Sequence, residues 1–204
     1  MYINKYGGML VAIDGPNGVG KSTLISGVQN ILMQNKVQVL VTKEPSSTPL
    51  GEFTRNNAEN IDGNSLACLV ASDRYYHLKN EIIPHLEKGY IVLMDRYVLS
   101  SLILQRMDSV DLDFILAINS NILKPDLQFA ISADSDVIQQ RLQERDILTR
   151  FERGNKTNKE LQYLDEGINC LTNLGINVFR LSNNNDLERN SLYITEEIEN
   201  FFRR

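Results

Sequence analysis

The sequence has few of the features that mark secreted, membrane-bound or nucleic-acid-binding proteins. Its only cysteines, Cys68 and Cys170, are far apart and lack metal-ligand spacing, so they are predicted to be reduced thiols. No apolar run approaches the roughly 18 residues of a membrane span, and residues 1–8 lack the apolar stretch of a signal peptide. The net charge of -5 supplies no basic field for a nucleic-acid backbone. We therefore expect a cytoplasmic protein that binds neither membranes nor nucleic acids.

The composition is that of an ordinary soluble globular protein, with 42% hydrophobic and 23% charged residues. No Pro/Gly/Ser-rich segment divides the 204 residues, so one domain is predicted over residues 1–204. Two short apolar runs, Met9–Ile13 and Tyr90–Met94, are unbroken, which is typical of strands covered on both faces of a parallel sheet. Three further runs carry polar residues and are predicted to be strands nearer the sheet edges: Val37–Val41, Leu127–Ile131 and Ile176–Leu181.

Segments with helical spacing lie between the predicted strands. The first has its apolar residues on one stripe between Leu24 and Leu32, and a second runs from Leu66 to Leu86, with Gly89 as its C-terminal cap. Further helices are predicted at Val137–Arg145, Asn158–Leu174 and Leu187–Phe202. Strands that alternate with helices indicate an α/β fold with a five-stranded parallel sheet flanked by helices. The stretch Ser182–Asp186 is predicted to be a simple polar turn.

The strongest motif is a complete G-x-x-x-x-G-K-S, which follows a predicted strand and opens a predicted helix, as a phosphate loop does. Glycines let the backbone N–H groups point inward, and the helix N-terminus adds partial positive charge. We predict that Lys21 reaches the β- and γ-phosphates of ATP and that Ser22 binds Mg²⁺. The predicted ATP-binding residues are Gly15, Pro16, Asn17, Gly18, Val19, Gly20, Lys21, Ser22 and Thr23.

A phosphate loop is shared by kinases, GTPases and mechanical ATPases. The guanine motif N-K-x-D is absent and no D-x-x-G follows a strand, which argues against a GTPase. Asp95, Arg96 and Tyr97 directly follow a predicted strand, whose carboxyl end should face the loop. A carboxylate there can hold Mg²⁺ or orient an acceptor phosphate, and a guanidinium can bind phosphate oxygens. A structural ion pair at the strand end is the alternative interpretation.

Five separated motifs make the chain similar to the thymidylate kinase family of P-loop nucleoside monophosphate kinases. The first is the phosphate loop, Gly15–Thr23. The others are Lys43-Glu44-Pro45 with Thr48-Pro49-Leu50-Gly51-Glu52, which resembles R-E-P-G-G-T-P-L-G-E; Ala71-Ser72-Asp73-Arg74, which resembles A-x-D-R; Asp95-Arg96-Tyr97 with Ser100, Ser101 and Gln105, which resembles D-R-Y-x-x-S-S-x-x-Y-Q; and Lys124-Pro125-Asp126-Leu127 with the arginine-rich stretch up to Glu152. Their order and spacing carry the resemblance over most of the chain.

The resemblance implies a P-loop kinase fold and a role for each matching residue. Lys21, Asp95 and Arg96 would act in phosphoryl transfer, and Ser22 and Asp95 would be the metal ligands. Arg55 and Arg96 would bind the acceptor phosphate, while Arg74 would hydrogen-bond the edge of the acceptor base. The implied acceptor-binding residues are Glu44, Pro45, Arg55, Val70, Arg74, Arg96, Ser101 and Gln105, with Asp14 and Asn17 in supporting roles. Because the family is commonly dimeric, a homodimer is also implied.

Basic residues are concentrated just before the helix predicted at Asn158, where the family has a mobile lid, here approximately residues 141–157. They are Arg141, Arg145, Arg150, Arg153 and Lys156. A charge run is usually a solvated face, but phosphoryl transfer needs cationic groups around the migrating group. In one branch of the family the catalytic arginine comes from the phosphate loop, and in the other it comes from the lid. Since the phosphate loop contains no arginine here, the resemblance implies that the lid supplies it. The similarity to the family's D-R-x-E makes Arg150 the first candidate, followed by Arg153 and Arg145.

Two acceptor-pocket positions depart from the family. Val70 stands where the family has a phenylalanine that stacks on the base, and Leu104 replaces an aromatic residue that excludes the ribose 2′-hydroxyl. Compensation by neighbouring aromatic residues is the alternative, with Phe53, Tyr75 and Tyr97 as the candidates.

The sequence therefore predicts ATP- and Mg²⁺-dependent phosphorylation of a nucleoside monophosphate, with thymidylate as the leading acceptor. One alternative is a kinase of another or modified nucleotide, or of a deoxynucleoside. Another is a regulatory module that binds ATP and hydrolyses it slowly or not at all. The arginine-rich stretch and Arg55 argue against such a module, since a protein that only binds ATP needs no second anion site.

Overall fold

The computed structural model describes residues 1–154 and 156–202, which form a parallel sheet with helices on both faces. The strands are β1 (Met9–Asp14), β2 (Val39–Lys43), β3 (Ile91–Asp95), β4 (Leu127–Ser132) and β5 (Val178–Ser182). They are arranged in the order β2-β3-β1-β4-β5, and every neighbouring pair is parallel. The predicted five-stranded parallel α/β fold is therefore confirmed.

The edge strands are β2 and β5, as predicted from their polar residues, but the same prediction was wrong for Leu127–Ile131. This run forms β4, which lies between β1 and β5 and is almost entirely buried. Its polar residue, Gln128, is fully buried, and its Nε2 atom donates a hydrogen bond to Asp14 Oδ2 over 2.9 Å. The Nε2 donor of Gln128 is therefore satisfied inside the fold, whereas its buried Oε1 atom finds no hydrogen-bond partner among the described residues.

Helices cover both faces of the sheet. They are α1 (Lys21–Gln34), α2 (Pro49–Asn57), α3 (Gly63–His77), α4 (Ile83–Glu87), α5 (Val98–Met107), α6 (Leu112–Ile118), α7 (Ser135–Gln143), α8 (Thr157–Asn173) and α9 (Leu187–Phe202). The helix predicted from Leu66 to Leu86 is α3 and α4 joined by a π-helical turn, Leu78–Ile82, and Gly89 follows it with a φ of 82°. No helix among the described residues could cross a membrane.

The sequence interpretation missed α2, α5 and α6. Helix α2 is short and polar, and it begins at Pro49 behind Thr48, whose hydroxyl accepts a hydrogen bond from Gly51 N. Helix α5 is buried on every side from Val98 to Ile103. A helix that is buried all round has no apolar stripe, so its sequence carries no 3.6-residue period.

One hydrophobic core lies on each face of the sheet, because successive residues of β1 point to opposite faces. Leu10 and Ala12 belong to the core formed with α5 and α8, whereas Val11 and Ile13 belong to the core formed with α1 and α9. With both faces covered, the carboxyl ends of the strands lie at one edge of the sheet. The segments that follow β1, β2, β3 and β5 meet there, and they carry most of the predicted site residues.

Candidate active site

The phosphate loop lies between β1 and α1 and wraps around the side chain of Lys21. Gly18 and Gly20 have φ angles of 79° and 86°, a left-handed conformation that glycine adopts without strain. Lys21 Nζ donates hydrogen bonds to Gly15 O over 3.0 Å and to Pro16 O over 2.7 Å. Burial, with a smaller contribution from Arg96, lowers the pKa of Lys21 to about 7. The side chain of Lys21 is therefore buried and held in place by the loop itself.

Ser22 and Asp95 form a pair of oxygen ligands beside the loop. Ser22 Oγ donates a hydrogen bond to Asp95 Oδ2 over 2.7 Å, and both residues line a cavity of about 330 Å³ with Lys21. A hydroxyl and a carboxylate that leave the remaining positions to phosphates and water suit Mg²⁺, which prefers oxygen ligands. The pair therefore fits the metal that the sequence implies.

Arg96 occupies the boundary between the phosphate loop and a second, adjoining cavity. Its φ angle of 76° is rare for a residue with a side chain, and its N–H donates a hydrogen bond to Ile13 O over 3.1 Å. The guanidinium donates hydrogen bonds to Asn17 Oδ1 over 2.6 Å and to Ser100 Oγ over 3.2 Å. Arg96 lines both cavities, so its charge faces both the loop and the second cavity.

Asp14, which was given a supporting role, holds the segment that carries Arg96. It is fully buried, and its Oδ1 atom accepts hydrogen bonds from Tyr97 N over 2.8 Å and from Ser100 N over 3.0 Å. These N–H groups are at the start of α5, where a negative charge is stabilising. Asp14 therefore ties the end of β1 to the segment that follows β3.

The second cavity, which we call the acceptor cavity, has a volume of about 550 Å³ and brings the predicted acceptor residues together. They come from the loop after β2, from α2, α3 and α5 and from the turn after β3. The predicted residues that line it are Glu44, Pro45, Arg55, Val70, Arg74, Arg96, Ser101 and Gln105, together with Leu104 and Tyr97. Neither Phe53 nor Tyr75 is among the described residues that line it. Of the three candidate compensating aromatic residues, only Tyr97 contributes to its wall.

Arg74 is fixed inside the wall of the acceptor cavity. It is almost completely buried, Nε donates a hydrogen bond to Glu44 Oε2 over 2.8 Å, and one terminal nitrogen donates to Ser101 Oγ over 2.9 Å. Burial opposes the charge, but Glu44 outweighs it, so the pKa of Arg74 is raised. Gln105 is also buried, and its Oε1 atom finds no hydrogen-bond partner among the described residues. The wall thus presents both a fixed guanidinium and a buried hydrogen-bond acceptor.

A model of the thymidylate kinase family matches residues 13–191. The chain belongs to this family. A probable thymidylate kinase from Caldivirga maquilingensis is 36% identical over 150 residues, which cover 71% of this chain and 73% of that protein. A probable thymidylate kinase from Pyrobaculum aerophilum is 38% identical over 146 residues, covering 70% and 73%. The thymidylate kinase of Caldicellulosiruptor saccharolyticus is 37% identical over 143 residues, covering 66% and 69%.

Membership of the thymidylate kinase family makes the chain a nucleoside monophosphate kinase, a phosphotransferase. Two of the arginines between residues 141 and 153 lie beside the phosphate loop. Arg145 forms an ion pair with Glu152 and lines the 330 Å³ cavity with Lys21. Arg141 donates a hydrogen bond to Asn183 O over 2.9 Å and to Val19 O over 3.4 Å.

The other two arginines of this stretch, Arg150 and Arg153, lie near the elements that build the acceptor cavity. Arg153 forms an ion pair with Glu59 and lines the acceptor cavity. Arg150, the first candidate for the catalytic lid arginine, is not among the described residues that line either cavity. Its guanidinium is bound to Asp108 instead. The structure therefore brings Arg145 to the phosphate loop and leaves Arg150 away from it, because Asp108 carries the charge that pairs with Arg150.

The sequence interpretation missed two contributions to the kinase site. The segment after β5, predicted to be only a polar turn, contacts the phosphate loop: Asn183 Nδ2 donates a hydrogen bond to Val19 O over 2.8 Å. With Gly18, Gly20, Thr23, Arg141, Arg145, Asn185 and Leu187, Asn183 lines a third cavity of about 360 Å³. The position of Asn183 directly after a strand was the signal in the sequence that could have indicated this contact. Glu160 accepts a hydrogen bond from Asn17 N over 3.0 Å, and no local pattern marked this contact.

Proposed function

We propose that the protein transfers the γ-phosphoryl group of ATP to the phosphate of thymidylate, giving ADP and thymidine diphosphate. The observation that carries the proposal is the position of Arg96, whose side chain lines both the phosphate-loop cavity and the acceptor cavity. A transfer between two phosphates needs a cation that both can contact. The names of the relatives from three organisms support thymidylate as the acceptor.

On the donor side, we assign the nucleotide phosphates to the phosphate-loop amides and Lys21. Ser22 and Asp95 would hold Mg²⁺, which when bound neutralises charge on the phosphate oxygens. Arg145 lies beside the same cavity and would supply the arginine that the loop sequence lacks. The adenosine part of ATP would occupy the third cavity, between the loop and Asn183.

On the acceptor side, Arg96 and Arg55 would hold the phosphate of thymidylate. Arg55 lies on α2, and its side chain donates a hydrogen bond to Ser46 O, on the loop after β2, over 2.9 Å. A phosphate oxygen of thymidylate forms the new bond to the γ-phosphorus, and the bond from that phosphorus to the bridging oxygen of ADP breaks. The reacting groups are the substrates' own, so the protein contributes position and positive charge.

The base would be read by the buried polar groups of the acceptor cavity. Arg74 already donates hydrogen bonds to Glu44, Ser101 and Asn119. It would offer a remaining N–H to a base oxygen, and Gln105 Oε1 would accept a hydrogen bond from a base N–H. A pyrimidine with a carbonyl beside an N–H carries both groups. From the family resemblance we further propose that the enzyme is a cytoplasmic homodimer that binds no nucleic acid.

Release of ADP, measured with and without a panel of nucleoside monophosphates and nucleosides, tests the proposal. We expect turnover that depends on an acceptor and is highest with thymidylate. Turnover with a nucleoside alone would indicate a deoxynucleoside kinase. Turnover independent of any acceptor, or binding of ATP without turnover, would identify a hydrolase or a regulatory module and contradict the proposal.

The two departures from the family in the acceptor cavity predict weak selection of base and sugar. Val70 and Leu104 both line the cavity, and neither offers an aromatic face. We expect Val70→Phe to strengthen thymidylate binding, within the roughly 1–3 kcal/mol that stacking on an aromatic ring supplies. Leu104→Tyr should disfavour uridylate selectively, because it narrows the space for a 2′-hydroxyl. Steady-state kinetics with thymidylate, deoxyuridylate and uridylate measure both effects. Strong rejection of uridylate by the wild type would contradict this prediction.

A further inference from the structure

Arg150 forms a bidentate ion pair with Asp108 near the acceptor cavity. Its terminal nitrogens donate hydrogen bonds to Asp108 Oδ1 over 2.6 Å and to Asp108 Oδ2 over 2.5 Å. The side chain of Asp108 is only 9% exposed, and Asp108 directly follows α5. Asp108, as the main cause, raises the pKa of Arg150. Bidentate pairs of this kind fix the plane of the guanidinium as well as its position.

The same side chain is anchored to the loop between α2 and α3. Arg150 Nε donates a hydrogen bond to Ala58 O over 2.5 Å, and the backbone N–H of Arg150 donates to Glu59 Oε1 over 2.8 Å. Arg153 forms an ion pair with the other oxygen of Glu59. The segment around Arg150 is therefore attached at two places to the elements that build the acceptor cavity.

The guanidinium of Arg150 lies over the ring of the next residue, Phe151. Its central carbon is 4.1 Å from the ring centroid, a cation–π contact that orients the ring. Phe151 lines the acceptor cavity together with Leu148, and the same cavity contains Val70 and Leu104. The cavity thus obtains from this segment an aromatic side chain that α3 does not supply.

We propose that Phe151 is the aromatic wall against which the acceptor base packs, and that Asp108 is the positioning residue that holds this ring through Arg150. The proposal rests on the proposed function, since it concerns the acceptor of that reaction. It places Phe151 in contact with substrate, whereas Asp108 and Arg150 act only through the ring. A contact made to the base in both ground and transition states changes the KM of the acceptor and leaves kcat largely unaltered.

Steady-state kinetics on the full-length enzyme separate this role from a catalytic one. We expect Phe151→Leu to raise the KM for thymidylate by about fivefold to a hundredfold, the range that a base–aromatic contact supplies, with little change in kcat or in the KM for ATP. Phe151→Tyr, which keeps the ring, should stay near the wild type. Asp108→Asn keeps the shape of the side chain but removes its charge, and it should also raise the KM for thymidylate. In the double variant with Phe151→Leu, it should raise this KM little beyond the value for Phe151→Leu alone.

Glu166→Gln is the matched control. It removes the carboxylate that pairs with Arg106 of α5, and neither of these residues lines the acceptor cavity. It should leave the KM for thymidylate unchanged. Thermal unfolding of each variant shows whether it still folds. If Phe151→Leu is destabilised, Phe151→Tyr and the KM for ATP still test the role of the ring.

An unchanged KM for thymidylate in Phe151→Leu overturns the aromatic wall. A fall in kcat without a rise in that KM in Asp108→Asn overturns the positioning role. Turnover of thymidylate by the wild type decides the proposed function separately. If a different monophosphate is the acceptor, the same variants are compared on that nucleotide.

Discussion

Replacing Lys21 with alanine is expected to lower kcat by on the order of a hundredfold to a thousandfold, the cost of removing one preorganised donor from a charged transition state. Lys21 Nζ is held by Gly15 O and Pro16 O at the centre of the phosphate loop, where the migrating phosphoryl group would lie. The measurement is ADP release at saturating ATP and thymidylate.

The fold should survive the loss of Lys21, because its charge is buried at a cost that lowers its pKa to about 7. Lys21→Met keeps the length of the side chain and tests whether the charge alone matters. Lys159→Ala is the control: it removes an exposed lysine that lines neither the phosphate-loop cavity nor the acceptor cavity, and it should leave kcat unchanged. Turnover close to wild type in Lys21→Ala would contradict the assignment of the phosphate loop.

Replacing Arg145 with alanine is expected to have an effect of similar or larger size on kcat, on the order of a thousandfold, as for other arginines that stabilise phosphoryl transfer. Arg145 lines the cavity of Lys21 and Ser22, and its partner Glu152 lines the same cavity. Its side chain is 47% exposed, so part of it is accessible to a ligand in that cavity, although its partner Glu152 is buried.

Arg150→Ala is the natural comparison for Arg145→Ala, since both remove one arginine from the same segment. If the ion pair with Asp108 defines the role of Arg150, this variant should raise the KM for thymidylate and largely spare kcat. A large loss of kcat in Arg150→Ala with none in Arg145→Ala would restore Arg150 as the source of transition-state charge, as the resemblance first implied.

The arginine assignments also bear on the departures at Val70 and Leu104. The alternative that the sequence left open was compensation by Phe53, Tyr75 or Tyr97. Of these, only Tyr97 lines the acceptor cavity among the described residues. Phe151 lines it as well, although the sequence placed this residue in a lid expected to supply positive charge to the migrating phosphoryl group. The aromatic content of the cavity therefore depends on a segment some 80 residues away from Val70 in the chain.

Features with local signals could be predicted from the sequence. The apolar runs at Met9–Ile13 and Tyr90–Met94 indicated buried parallel strands because both of their faces had to be covered. The phosphate loop was recognisable because its geometry needs glycine at fixed positions, and the left-handed φ angles of Gly18 and Gly20 bear this out. Local information failed for α5, whose burial on all sides removes the helical period, and for Gln128, whose partner Asp14 lies on another strand.

The sequence by itself determined the parallel α/β fold, the phosphate loop and the family. Each depends on residue types at fixed spacings, which force backbone conformation and burial locally. Only the tertiary structure decided which arginine lies at which cavity. Arg145 and Arg150 are close in the chain and chemically identical, but folding brings different carboxylates to them: Glu152 for one and Asp108 for the other. Pairing between distant charges is set by three-dimensional position, which spacing along the chain does not encode.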